Sequence, residues 1–379
     1  MGSSDGQWIS APPKKLWERA LGDGYSPIAH ENGILYTAYR RGSQDVVIAL
    51  SALTGKTLWE YEYGAPFRNA YSEGVGPGPY AMPQVVGDRA VTASGIGQIH
   101  SLDKKTGKPV WSHDLYGEFG GTRVEFGYSS HALLYKDSLI VLAGGRGSAV
   151  LRLRQSDGSI VWKRHSLDNA YSSPLLIQVD GQAQVAALLA QEVVGIDPES
   201  GDLLWRHKHP TQYGIAVATP VWAAGNLLFV STAYDGGSRV LHLTRSGNQT
   251  EVRELWHERR IQLHFGSAIR QGDYVYLSSG HRGPAFLMAV ELRTGKVAWQ
   301  VRDFVKAQLL HADGKLIILD EDGNLGLGLA TPEKFQALAR WPMLRNVSWT
   351  PPTLAGTKLF LRDRYNIMAL EMGTGQRRR

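Results

Sequence analysis

The chain has 379 residues, 43% of them hydrophobic and 20% charged, a balance that excludes both a disordered segment and a membrane bundle. It contains no cysteine, which excludes a disulfide framework, a thiolate metal site, a catalytic thiol and lipid attachment to an N-terminal cysteine. Three of its six net positive charges are Arg377, Arg378 and Arg379, and the mildly basic remainder forms no clustered stripe, so no nucleic-acid partner is expected.

Residues 1–13 carry no apolar signal core, and no run approaches the ~18 apolar residues a membrane span requires. The main expectation is a periplasmic or secreted protein after leader removal, with a cytoplasmic protein as the alternative. Residues 14–21 (KKLWERAL) read as a solitary strand carrying Trp17. One pattern then recurs at 50–59 (LSALTGKTLW), 102–111 (LDKKTGKPVW), 153–162 (LRQSDGSIVW), 196–205 (IDPESGDLLW) and 292–299 (LRTGKVAW). In each, Trp stands four residues after a Gly between two apolar strands, which predicts a hairpin with a permissive turn residue. Trp256 and Trp341 close weaker copies with expanded turns at 246–254 and 331–339, and further turn-marked strand pairs lie at 84–94, 221–231 and 269–278.

Tryptophans 17, 59, 111, 162, 205, 256, 299 and 341 recur about every 46 residues, room for four short strands and their turns. They predict an all-β fold: an eight-bladed β-propeller with four antiparallel strands per blade. It is expected as one domain over 14–375, with tails at 1–13 and 376–379. The last repeat has Arg379 where its Trp is due, so the N-terminal strand is expected to complete the eighth blade and close the ring. All eight indoles are assigned to packing between blades. Trp222 is also assigned to the core, whereas Trp349 opens a blade and reaches the funnel.

The LDxxTGKxxW repeat resembles the pyrroloquinoline-quinone-type repeat of eight-bladed quinoprotein dehydrogenases and their non-catalytic relatives, over nearly the whole chain. The likeness is greatest to stand-alone bacterial propellers of that repeat family, and more distant to the propeller lipoprotein of the outer-membrane β-barrel assembly machinery. For the alcohol-oxidising members, the resemblance implies a quinone over a Trp, beneath two adjacent bonded cysteines, with Ca²⁺ held by Glu, Asn and Asp. This chain has no cysteine, and no Glu/Asn/Asp set matches residue by residue. No cofactor is therefore expected; pyrroloquinoline quinone with calcium is the alternative.

Inter-blade connections and the loops between second and third strands converge on a propeller's central funnel, the default ligand site. The inner-strand starts carry Tyr25, Tyr80, Tyr128, Tyr171, the pair His264-Phe265, and Trp349; these rings either plug the entrance or form a stacking platform. Charged residues in the same connections carry an excess of arginine, which suits an anionic ligand. The ligand-contact candidates are Arg68, Tyr80, Arg123, Glu125, Tyr128, His131, Arg146, Tyr171, Asp235, His264, His281, Arg282, Lys306 and Trp349. Arg123, Glu125 and Tyr128 are expected to be faced by His264, His281 and Arg282. Glu125, His264 and His281 are also the acid/base candidates. No HExxH motif is present, the 320–322 acidic run reads as a hairpin turn, and no metal site is expected.

The functional expectation is a binding module or scaffold that holds a small anionic or polyol ligand, a glycan or a protein partner at the funnel. A minimal quinone-dependent oxidoreductase, or another acid/base enzyme using the funnel residues, is the alternative. A monomer without a membrane span is expected.

Overall fold

The computed structural model describes residues 12–68, 72–281 and 283–373. The tails expected at 1–13 and 376–379 fall outside these residues except for 12 and 13, as does Arg282. Eight four-stranded antiparallel sheets form the ring. Blade 1 runs Ala29–Glu31, Ile34–Arg41, Gln44–Ser51 and Thr57–Gly64, and blades 2 to 7 follow in chain order. Blade 8 pairs Thr353–Ala355, Lys358–Arg362 and Asn366–Glu371 with the N-terminal strand Lys14–Ala20 as its outer member. No helix of the described residues is long and apolar enough to cross a membrane.

The repeat makes this shape through its turns. Gly55, Gly107, Gly158, Gly201 and Gly295 all adopt φ between 68° and 77°, the left-handed conformation that glycine enters without a Cβ penalty. One residue then bulges out just before each repeat tryptophan, as between the pairs Ala49↔Trp59 and Leu50↔Thr57. The N-terminal strand has the same irregularity between Lys15 and Trp17, so it carries the local geometry of an outer strand.

Six of the eight indoles then hydrogen-bond to the next blade. Trp17, Trp59, Trp111, Trp162, Trp256 and Trp299 donate to the carbonyls of Ala52, Lys104, Gln155, Pro198, Leu292 and Thr331 at 2.7–3.3 Å. A Cβ on Gly55 would lie 2.7 Å from the Trp17 ring, and one on Gly107 2.5 Å from that of Trp59, so the turn glycines also leave room for the indoles.

Trp205 departs from the pattern. Blade 5 has a long hairpin, Gly237–Ser246 with Gln249–Glu258, in place of the short turn. Trp205 instead lies on Gly195 of its own blade and donates to Gln184 Oε1 at 2.8 Å, while Gln184 Nε2 donates to Thr250 of blade 5. A buried amide thus bridges where an indole does so elsewhere.

Apolar clusters fill all eight seams between neighbouring blades, which is where the core sits. Around the axis, small polar residues join the inner-strand starts: Thr350 donates to Tyr25 O, Ser26 to Ala81 O, Ser129 to Tyr171 O and Ser267 to Leu309 O. These bonds satisfy carbonyls that would otherwise be orphaned beside the channel.

Candidate functional site at the mouth and the groove between blades 5 and 6

Rings contributed by five blades run in one contact chain across the mouth. Tyr234 packs 4.2 Å from His281 and 5.3 Å from His264, His264 4.1 Å from Phe265, and Phe265 4.6 Å from Trp349. Trp349 meets Tyr25 at 4.9 Å, and Tyr25 stacks on Tyr80 at 6.3 Å. Trp349 also donates to Glu321 Oε2 at 3.1 Å, which ties it to blade 7. The cavity left among His264, Phe265, Lys306, Gln308 and Trp349 measures about 10 Å³, room for at most one water. The expected rings are present, and among the described residues they pack against one another at the mouth.

An open volume lies to one side of the mouth. A groove of about 810 Å³ begins at Tyr234, Asp235 and His281 and runs outward between blades 5 and 6 to Val297 and Gln300. Its polar lining includes Gln212, Gln262 and Gln300, and its floor includes Ile261, Phe286 and Met288. Tyr234 and Asp235 head this groove from a turn in which both have positive φ, 53° and 68°. Bulky non-glycine residues rarely occupy that region, and it is held only where surrounding contacts over-determine it.

The electrostatics of the mouth favour neutral rings. Burial first, then Lys306 and His281, pushes His264 down to about 3, so it is uncharged at neutral pH. Its Nε2 lies 2.8 Å from the Tyr234 hydroxyl. A base that far below neutrality is poorly matched to proton abstraction near pH 7. Burial likewise raises Tyr25 and Tyr171 to about 12. Lys306 sits 5.4 Å from the centre of the Phe265 ring.

The remaining candidates are dispersed. Tyr128 is 1% exposed and lies inside the core between blades 2 and 3, so its ring presents no surface to a ligand. His131 is pushed down to about 4 by burial, and its Nδ1 lies 2.8 Å from Ser173 Oγ. Tyr171 accepts a hydrogen bond from the Phe126 amide at 3.1 Å. Tyr80 donates to Gly76 O at 2.6 Å. Arg123 is exposed, 4.8 Å over the Tyr116 ring. Glu125, Arg68 and Arg146 are exposed, as is Asp235 at the groove. The expected facing of Arg123, Glu125 and Tyr128 by the blade 6 histidines is replaced by an indirect link: Glu125 and Tyr234 both act electrostatically on Tyr171, while Tyr234 touches His264 and His281.

Several residues of the site were not anticipated from sequence: Tyr234, Glu321 and the three groove glutamines. The Tyr-Asp-Gly-Gly run at 234–237 is a local signal for Tyr234, since it marks a tight turn at the mouth. Nothing local distinguishes the glutamines.

The sequence profile of the family described as outer membrane protein assembly factor BamB matches residues 43–301, about two thirds of the chain. This chain belongs to that family. The quinohemoprotein alcohol dehydrogenase ADH IIB of Pseudomonas putida is 25% identical over 315 residues, which cover 76% of this chain and 36% of that protein. The chain thus spans about a third of the length of that curated relative. Among solved structures, BamB from Moraxella catarrhalis superposes with a TM-score of 0.68 at 16% identity, covering 95% of this chain and 100% of that one. Quinohemoprotein alcohol dehydrogenase from Comamonas testosteroni reaches 0.66 at 12% identity, covering 97% of this chain and 77% of that one. These structural likenesses establish the shared propeller.

The quinone and calcium implied by the dehydrogenase likeness do not fit the residues present. A planar tricyclic quinone needs a slot of the size of an ordinary ligand pocket, roughly 300 Å³ or more, whereas the cavity beside Trp349 is about 10 Å³. Trp349, at the mouth, is already in contact with Phe265 and Tyr25. Among the described residues, no group of three histidine or carboxylate side chains is arranged to hold a metal ion.

Proposed function

We propose that this chain is a periplasmic binding propeller that seats an extended segment of a partner polypeptide in the groove between blades 5 and 6. The observation that carries the reading is the groove itself: about 810 Å³ of volume lined by polar and apolar side chains, beside a mouth crowded with rings. Primary amides such as Gln212, Gln262 and Gln300 each offer a donor and an acceptor, the complement of a peptide group. Ile261, Phe286 and Val297 offer apolar contact for alternate side chains. The blade 6 outer strand Val297–Val301 has a free edge that can accept a further strand. Membership of a family named for an assembly factor supports a protein partner and an envelope location.

The test uses a photoreactive residue placed at Gln300 or Gln262, and at the exposed turn residue Lys105 of blade 2 as control, in cells that make the protein. The expected result is one discrete polypeptide adduct from the groove positions, none from position 105, and no change when Arg123 and Glu125 are replaced by alanine. Adducts lost in the Arg123→Ala/Glu125→Ala variant would move the contact to the other side of the mouth. A thermal shift with polyols or inorganic phosphate but no adduct would favour the small-ligand reading. Quenching of tryptophan fluorescence by pyrroloquinoline quinone with Ca²⁺, together with dye-linked alcohol oxidation, would restore the oxidoreductase alternative.

A further inference from the structure

The groove is headed by a turn whose residues are not the ones that reversing the chain requires. It joins the second and third strands of blade 5, Leu227–Thr232 and Gly237–Ser246, and is closed by the Gly236 amide donating to Ala233 O at 3.2 Å. Both central residues, Tyr234 and Asp235, lie in the left-handed region, as a primed hairpin turn demands, and such turns are ordinarily built from Asn-Gly, Asp-Gly or Gly-Gly. Aspartate enters that region readily, whereas a bulky tyrosine does so at a steric cost. Among the described residues no other tyrosine, phenylalanine or tryptophan adopts it.

Strain of this kind persists where surrounding contacts hold it, and it points to a task beyond the turn itself. The Gln212 amide donates to Tyr234 O at 2.8 Å, the Tyr234 hydroxyl lies 2.8 Å from His264 Nε2, and His257 Nε2 lies 2.8 Å from Gly236 O. These contacts fix the backbone that carries Asp235 at the head of the groove.

The charges of the groove single out that carboxylate. Its described lining carries the carboxylates of Asp235 and Glu258, the guanidinium of Arg260 and the imidazole of His281. Glu258 and Arg260 neutralise each other, since the guanidinium donates to the carboxylate from Nε at 3.0 Å and from Nη2 at 3.1 Å. Asp235 is exposed and makes no hydrogen bond or ion pair among the described residues. Lys306 borders the small cavity beside Phe265 rather than the groove. Aromatic rings stand next to the lone carboxylate: Tyr213, 59% exposed, meets Tyr234 edge-on with ring centres 6.0 Å apart. A carboxylate beside tyrosine rings attracts a guanidinium or ammonium both by charge and through the ring quadrupoles.

We propose that the head of the groove is a cation subsite: Asp235, flanked by Tyr213 and Tyr234, receives a basic side chain, arginine or lysine, of the polypeptide seated in the groove. That the cation belongs to a polypeptide rests on the groove reading above; the preference of the subsite for a cation does not. The seated segment then places its basic residue at the mouth and apolar residues outward toward Val297.

The subsite is tested without a partner by fluorine NMR of the full chain labelled with 3-fluorotyrosine, at pH 8, the Tyr213 resonance being assigned by its loss in Tyr213→Phe. N-acetyl-arginine amide is expected to shift that resonance saturably. The isosteric but neutral N-acetyl-citrulline amide is expected to bind at least fivefold more weakly, and Asp235→Asn, a change that the turn accommodates, to reduce the arginine response to the citrulline level. Added salt should weaken the arginine response alone. In cells, the adduct from Gln300 is expected to fall at least fivefold in Asp235→Asn. No response to arginine, an equal response to citrulline, or a response retained in Asp235→Asn overturns the proposal. An adduct at Gln300 undiminished in Asp235→Asn also overturns it and leaves the groove reading standing. The arginine response as expected, with no adduct at Gln300 in either protein, removes the partner reading and leaves the cation subsite.

Discussion

Ring closure by the N-terminal strand is open to a quantitative test through Trp17→Ala. Trp17 is half-buried on the outer strand of blade 8, its N–H donating to Ala52 O at 3.1 Å and its ring 6.2 Å from Phe360, against Gly55 of blade 1. Truncating a large aromatic at such a contact costs about 3 kcal/mol, the low end of the range because the ring is not fully buried. For 379 residues the unfolding entropy is about 0.8 kcal/mol per kelvin. The expected fall in Tm is therefore ~4 °C by calorimetry. Trp111→Ala is the internal reference: that indole makes the same kind of contact, to Gln155 O at 3.0 Å and against Gly158, between two blades not at the closure. If the ring closes through residues 14–20, the two variants lose comparable stability. A Trp17→Ala protein melting within 1 °C of the wild type, beside a clearly destabilised Trp111→Ala, would falsify closure as a structural element.

Other expectations follow from buried groups. His100 and His131 are pushed down to about 4 by burial, and burial first, with neighbouring cations and histidines adding, takes His209 and His264 to about 3. Each binds its proton more weakly folded than unfolded, so the stability it contributes is present above its unfolded value near 6.5 and is lost as pH falls toward 3–4. Stability is therefore expected to fall between pH 7.5 and 5; a denaturant midpoint flat from pH 7.5 to 5 would contradict this. Asp45 is fully buried, and burial raises it to about 7 against the lowering effect of Arg40, 3.5 Å away. The folded state holds this proton more tightly, so the contribution is full below about pH 4 and fades as pH rises through 7. Asp45→Asn should gain on the wild type by ~2 kcal/mol between pH 5 and 8; a gain in the opposite direction refutes the assignment. Gly195→Ala would place a Cβ 1.8 Å from Trp205 Nε1 and should lower Tm markedly, whereas Gly64→Ala, with open space around it, should leave Tm unchanged.

The candidate site was legible only in part, and its residues show why. Tyr25, Tyr80 and Trp349 are placed at the mouth by the same inner-strand position in successive repeats, so the pattern that locates one locates the others. Tyr128 occupies an equivalent position yet is buried, because whether a ring faces the axis or the seam depends on its neighbours in the next blade. His264 and Tyr234 are 30 residues apart, and the groove glutamines come from connections and an outer strand with no shared spacing.

From the sequence alone came the blade count, the turn glycines and the closing strand, since each is a local instruction repeated every blade: a left-handed Gly, a bulge, an indole four residues on. Tertiary structure alone decided that the rings pack against one another at the mouth, that an open groove lies between blades 5 and 6, and that Gln184 stands in for an indole contact at blade 4. Those outcomes depend on how side chains from separate repeats share one space. A periodic code sets where each strand goes, but excluded volume among its non-repeating residues sets what is left open.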